Sequence, residues 1–222
     1  MGKKKKERTN KKFAAKVNLQ ELQESRNGGQ AAWRGYSYQF LYSCNLILSS
    51  DADTVFILEG IEDVDAIKCS DGSKTITHIQ VKYSTQHQDA SFMDSVLKNY
   101  LEAYLIDRNR YFKLVYDFSV ASGNLRKLFL GNLDKNSKEF WKTKIDNIKN
   151  ETASWNWSDF NFEDFMHRLS FINVKKDSLE KSIEDFLIKN FEIETDNISL
   201  FANGIKLLCL DKMESRAKVT RS

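Results

Sequence analysis

Asp63, Asp65, His78, Gln80 and Lys82 are the residues of this 222-residue chain whose types and spacing could do chemistry together. They stand on two short strand-like runs, Ile61 to Cys69 and Ile76 to Tyr83, separated by Ser70-Asp71-Gly72-Ser73. Asp-Gly between such runs is a strong hairpin signal. An even-length loop centred on Asp71-Gly72 pairs residues whose numbers sum to 143, setting Asp63 opposite Gln80, Asp65 opposite His78 and Ile61 opposite Lys82. Directly opposed residues share a face, so the five polar side chains converge, unless an odd loop or a bulge shifts the register. Glu59 lies just upstream, at the end of the preceding strand, and Gly60 lets the chain turn tightly there.

Oxygen donors beside a single lysine suit a hard dication, Mg²⁺ or Mn²⁺, which takes one or two carboxylates and fills its other positions with water and phosphate. Such an ion lowers the pKa of bound water and neutralises charge on a scissile phosphate. A lysine ammonium nearby orients the water or stabilises the transition state. Gln80 can ligate through its amide oxygen without adding charge. An opposed Asp and Gln can share an ion at about 2.0–2.1 Å from each, with Glu59 as a further carboxylate on the same side. Asp65, displaced two residues toward the hairpin tip, is the alternative acid. Without a metal, these side chains are simply the solvated face of a two-stranded ribbon.

The elements that must position them can be read from periodicity. From Gln30 to about Leu48, Trp33, Tyr36, Phe40, Cys44, Ile47 and Leu48 recur at helical steps. Val55 to Leu58 reads as a buried strand, followed by the hairpin. Phe92 to Leu105 has a broad apolar helical face, and Phe112 to Val120 reads as a strand closed by Ser122-Gly123. Beyond Leu125 the spacing is mostly helical, in 137–149, 161–171, 177–189 and 198–213, either packed on the sheet or forming a small lobe. The expected fold class is therefore α/β, ordered helix, three strands, helix, strand, with a C-terminal helical extension. The division is a basic tail at 1–27, a core at 28–125 and the extension at 126–222.

The net charge of +3 is unevenly placed, since Lys3, Lys4, Lys5, Lys6, Arg8, Lys11, Lys12 and Lys16 face only Glu7 in the first sixteen residues. Such a tail is either a phosphate-seeking arm for nucleic acid, led by Lys3, Lys4, Lys5, Lys6 and Arg8, or a solvated terminus that aids solubility. No apolar run is long enough to span a bilayer, and no secretory signal follows the basic start. Cys44, Cys69 and Cys209 have no metal spacing and suit a reducing cytosol. His87 and His167 lack partners at ligand spacing. Trp155 and Trp157 suit anchoring a loop better than stacking on bases. No glycine-rich loop followed by Lys-Ser/Thr occurs, which argues against an NTPase.

Asp63 followed by Gln80-Val81-Lys82 after a hairpin resembles the PD-(D/E)XK nuclease superfamily, in the Mrr-like variant with glutamine in the second ligand position. Gly35-Tyr36-Ser37-Tyr38-Gln39, Leu58-Glu59-Gly60-Ile61-Glu62-Asp63-Val64 and Ile79-Gln80-Val81-Lys82 further resemble the double-stranded DNA endonuclease domain of bacterial anti-phage effectors. That resemblance spans roughly residues 28 to 125. It implies a restriction-endonuclease-like core and a Mg²⁺-dependent DNA endonuclease acting in defence. It puts the metal acid on Asp63 (or Asp65), the second ligand on Gln80 and the catalytic lysine on Lys82. Glu59 and Gln39 match recurrent polar positions there, and His78 shares the face. The implied partners are double-stranded DNA and a regulatory subunit or a missing C-terminal sensor domain, with a homo-oligomer and a bacterial cytoplasmic location also expected. A catalytically silent DNA- or partner-binding module of a larger defence complex is the alternative.

Overall fold

A computed structural model describes residues 28–221, apart from 71, 192 and 194. The tail lysines and Arg8, and Asp71 of the hairpin loop, lie outside the described residues. Helix α1 (Gly28–Ser49) leads into β1 (Thr54–Leu58), β2 (Val64–Ser70) and β3 (Ser73–Tyr83). A 3₁₀ turn at Ala90–Phe92 opens α2 (Met93–Ile106), and β4 (Arg110–Asp117) follows. The helix, three-strand, helix, strand order thus stands as read. The back half adds α3 (Asn124–Phe129), α4 (Lys135–Glu151), α5 (Phe162–His167), β5 (Leu169–Asn173), α6 (Lys176–Phe191), α7 (Ile198–Glu214) and β6 (Lys218–Thr220).

One mixed six-stranded sheet runs β5-β4-β3-β2-β1-β6. Pairs β1–β2, β2–β3 and β1–β6 are antiparallel, and β3–β4 and β4–β5 are parallel. Helices cover both faces. Ile79 and Val81 point into one core with Tyr38, Leu41 and Cys44 of α1, Leu179 and Ile183 of α6, and Ala202 and Met213 of α7. Phe112 and Leu114 point into the other, with Val96, Tyr100 and Leu101 of α2, Trp141 and Ile145 of α4, and Phe165 of α5. Burying both faces is what lets two parallel pairs persist in the sheet.

The back half is less helical than its periodicity suggests. Residues 161–171 divide into a two-turn helix and the start of β5, and Lys218–Thr220 forms β6, so this half supplies both edge strands. Both are short, and a few strand residues leave no measurable period. Its helices pack on the sheet's two faces. The tryptophans anchor a loop as expected: Trp157 Nε1 donates to the Thr152 carbonyl at 3.0 Å, and its ring stacks on Trp155 at 6.2 Å between centroids.

The hairpin register follows the expected sum. Asp65 pairs with His78, Val64 with Ile79 and Ser70 with Ser73, with Gly72 in the turn at φ 77°. The strand, however, begins at Val64, so Ile61, Glu62 and Asp63 belong to a turn and have no ladder partners across β3. The cause is Asp65. Its carboxylate accepts the backbone N–H of Ile61 at 2.8 Å and of Glu62 at 3.5 Å, folding the approach to β2 back on itself. Gly60 sits against that carboxylate so closely that an added Cβ would fall 2.2 Å from Asp65 Oδ2. Gly60→Ala should therefore cost about 1–3 kcal/mol, since the clash is with a buried group that cannot swing away. Thermal unfolding tests this, the expected loss being at least about 3 °C for a chain of this size. An unchanged Tm would show that the turn has slack the close approach denies.

Candidate functional site

The site is assembled from three pieces of chain: the α1 face carrying Tyr36 and Gln39, the turn Glu59–Asp63, and the far half of β3. Gln39, 8% exposed, donates from Nε2 to Glu59 Oε1 at 2.5 Å. Glu59 has φ 52°, a left-handed conformation unusual for a side-chain-bearing residue, and ends β1 by turning its carboxylate toward α1. Its backbone N–H donates to the Asp63 carbonyl at 3.0 Å, closing the turn. Asp63 then reaches β3 through its side chain, with Oδ2 accepting the Val81 N–H at 2.6 Å. So Asp63 meets β3 one residue beyond Gln80, by hydrogen bond in place of strand pairing.

Alternation along β3 puts His78, Gln80 and Lys82 on the α2 side. Lys82 lies near enough to Glu62 and Asp63 for its ammonium to favour the ionised form of both. Burial opposes it. Desolvation raises the Asp63 carboxyl above its ordinary value, and desolvation with repulsion from Asp63 raises Glu59. Glu62 is pushed furthest, to about 7, by burial first and then by the negative charge of Asp63. Three carboxylates are thus crowded together, Glu62 and Asp63 beside Lys82 and Glu59 near Arg216. Gln80 is 5% exposed, and its Oε1 has no hydrogen-bond partner among the described residues. A buried carbonyl oxygen normally finds a donor, so this one is an open acceptor, one residue before the Val81 whose N–H bonds Asp63.

Asp65 and His78 do not join this cluster, although they share its strands. His78 is fully buried, its Nδ1 lies 2.6 Å from Asp65 Oδ1, and Arg110 Nη1 approaches its Nε2 at 2.8 Å. A guanidinium can only donate, so Nε2 accepts and Nδ1 carries the hydrogen bonded to Asp65. With both its oxygens engaged, Asp65 is a structural group, and Asp63 is the acid left facing the pocket. The expected convergence of five side chains is therefore corrected: Asp63 lies beside Lys82, Glu62 and the Glu59 that Gln39 holds, and Gln80 is the β3 neighbour of the Val81 that bonds Asp63, while Asp65 and His78 form a separate buried network.

Two residues here were not singled out from the sequence. Glu62 was passed over because strand parity puts it on the opposite face from Asp63, but parity has no meaning in a turn. It faces a cleft of about 410 Å³ that Ile61, Asn99, Glu102 and Arg110 also line. Tyr36 read as part of an apolar helix stripe, yet its ring is 44% exposed, and burial together with Glu59, Glu214 and Asp63 raises its hydroxyl above the ordinary value. The adjoining Glu62-Asp63 pair was the available signal for the first; nothing in the spacing marked the second. His87 is a surface residue paired with Ser119 at 2.9 Å, and His167 ends α5.

Among the described residues no helix is long and apolar enough to cross a membrane. Neither a protein-family model nor a curated protein matches this sequence. Solved structures do share the fold. The Acinetobacter baumannii Cap4 SAVED/CARF-domain containing receptor with the cyclic trinucleotide 3'3'3'-cAAA aligns at TM-score 0.55 and 14% identity, over 85% of this chain and 42% of the receptor. The Moraxella osloensis Cap4 receptor aligns at TM-score 0.52 and 16% identity, over 86% of this chain and 46% of that one. The Acinetobacter receptor was also solved with 2'3'3'-cAAA, at TM-score 0.53 and 14% identity, over 84% of this chain and 42% of that one. This chain therefore spans less than half the length of the receptors it resembles. The expectation of an endonuclease cutting double-stranded DNA, or of a silent DNA- or partner-binding module, is corrected here: the solved structures that share this fold are SAVED/CARF-domain containing receptors, two of them with a cyclic trinucleotide.

Proposed function

We propose that this chain is a module of a cyclic-oligonucleotide-responsive receptor in bacterial anti-phage defence, and that its Asp63 pocket engages a phosphodiester with the help of Mg²⁺ or Mn²⁺. The unpartnered, buried Gln80 Oε1, between His78 and Lys82 on one face of β3 and adjoining the Val81 that bonds Asp63, carries this reading. The receptors solved with cyclic trinucleotides support the ligand class, because every linkage in such a ring is a phosphodiester. Their greater length supports a partner domain beyond this module. Double-stranded DNA is not part of the reading.

The donor set fits a hard dication. Among the described residues no three His, Cys, Asp or Glu side chains are grouped to hold a metal by themselves. Mg²⁺ does not need three, because it keeps water ligands and takes one or two carboxylates. Asp63, Glu59 and the Gln80 amide oxygen would hold it. When bound, it would polarise a phosphoryl oxygen and acidify a water, the chemistry of phosphodiester hydrolysis. The chain's own residues do the rest. Val81 N–H fixes Asp63, Gln39 fixes Glu59, and Lys82 supplies a positive charge for phosphate oxygens. The same proposal makes the sheet restriction-endonuclease-like, of PD-(D/E)XK type, with residues 28–125 as core. The α1, β1–β3, α2, β4 order and the Gln80-Val81-Lys82 run support it.

Titrating the protein with Mn²⁺ by calorimetry, then adding a cyclic trinucleotide, tests the reading. One ion per chain should bind, Asp63→Asn should weaken it at least about tenfold, and Lys82→Ala should spare the ion but weaken the nucleotide by about as much, a tenfold change being about 1.4 kcal/mol. Hydrolysis followed by chromatography should need both residues. Nucleotide affinity indifferent to Asp63→Asn and Lys82→Ala would overturn the assignment. Asp65→Asn, by contrast, should lower Tm, because it breaks a buried network.

The raised carboxyls make stability depend on pH. Glu62 has a folded value of about 7 against an ordinary 4.5, so between these values the native state binds more protons than the unfolded chain. Stability should fall as pH rises through that window, by up to about 3 kcal/mol for this buried group. Glu62→Gln should flatten the decline in Tm between pH 5 and 7, and Mn²⁺ should reduce it in the parent. A variant with the parent's slope would remove Glu62 as its source.

A further inference from the structure

On the sheet face opposite α2, Cys44 of α1 and Cys209 of α7 meet inside the first core, 0% and 8% exposed. They are 165 positions apart, and their thiols lie close enough to shift one another's ionisation. Both line a cavity of about 810 Å³, walled mainly by Ile47, Leu48, Phe186, Ile205 and Leu208 and edged by Lys212 and Arg221. Both cysteines are free, and the third, Cys69, lies exposed on β2. Two facing thiols in a cavity wide enough for a small oxidant are more than a pair of buried hydrophobes.

We propose that Cys44 and Cys209 are a peroxide-responsive thiol pair whose disulfide locks α7 onto α1. Cys209 is the attacking sulfur. The hydrogen bond from Cys44 holds its thiol below the ordinary value, against the effect of burial, while Cys44 is held well above by that hydrogen bond and by burial. The Lys206 ammonium adds a favourable charge near the pair. In the first step the Cys209 thiolate takes one oxygen from hydrogen peroxide, the O–O bond breaks, and hydroxide leaves, becoming water with the proton that Cys209 gave up. In the second, Cys44 Sγ attacks the Cys209 sulfenic sulfur, the S–O bond breaks, and the Cys44 proton departs with that oxygen as water. The two thiols lose two electrons, and one peroxide becomes two waters.

The lock reaches the site. One turn past Cys209, α7 ends at Glu214, and Arg216 follows at φ 50°, with its positive charge favouring ionised Glu59. Glu214 bears on Tyr36 with the opposite sign, its negative charge disfavouring the ionised phenol. A disulfide fixes the helix that presents both charges.

The full chain carrying Cys69→Ser, treated with a slight excess of hydrogen peroxide, provides the test. The intact mass should fall by two hydrogens, digestion should yield a Cys44–Cys209 cross-linked peptide, and a reductant should reverse both. Closing so long a loop should raise Tm by at least about 5 °C. In Cys44→Ser the reaction should stop at a sulfenic acid trapped by dimedone on Cys209, whereas Cys209→Ser should leave Cys44 unmodified. If either variant fails to fold, the cross-linked peptide from the parent pair decides alone. Sulfinic acid on Cys209 without cross-link, or an unchanged intact mass with both thiols still free in the folded chain, overturns the proposal.

Discussion

Everything about the pocket depends on the Asp65 carboxylate. It is buried, bonded to His78 across the hairpin, and it gathers in two backbone N–H groups from the turn before it. A carboxylate with that many donors is strongly held, and it holds them in return. Without it the Glu59–Asp63 segment would have no reason to fold back, and the ladder could continue through Asp63 in the ordinary way. Because it folds back, Glu59, Glu62 and Asp63 come off one turn, the last two near Lys82. The network behind it, from Asp65 through His78 to Arg110 and Asp107, ties the hairpin to the end of α2 and the start of β4. Positioning residues and site residues thus alternate along the same two strands.

That arrangement explains why electrostatics at the pocket are unfavourable without a cation. Glu62 and Asp63 share the Lys82 ammonium, Glu59 has Arg216 nearby, and each is desolvated enough to hold its proton more tightly than in water. A fold that keeps such a cluster sacrifices stability at neutral pH. Functional sites are where that sacrifice is commonly found. The Glu59 backbone, left-handed without being glycine, belongs to the same pattern of local strain over-determined by its surroundings.

Much of this was legible in the sequence because hairpins are local. The register sum was set by Asp71-Gly72 and holds at every observed pair from Val64↔Ile79 to Ser70↔Ser73. Gln80 and Lys82 could be placed by alternation alone. What failed was the extension of that register past Val64, where a single side chain outcompetes the ladder for the backbone. The sequence shows Asp65 but not which donors it will choose. Glu62 was lost for that reason, and Tyr36 because an aromatic on a helix stripe looks the same whether it packs or lines a cleft. The edge strands β5 and β6 escaped because each is defined by the neighbour it pairs with, far away along the chain.

The pairing of β6 with β1 has a bearing on synthesis. Val55 hydrogen-bonds beside Thr220, so one edge of β1 has no neighbour until 165 further residues have been made. At about 5–20 residues per second, a ribosome leaves that edge open for roughly 8–30 seconds. An apolar strand with unpaired N–H and C=O groups invites pairing with another nascent chain. β1 is five residues long, at the short end for such an encounter, and α1 is already available to cover one of its faces. The hairpin and α1 can assemble early around local contacts, while the sheet's outer margin is finished only once Lys218–Thr220 have been made.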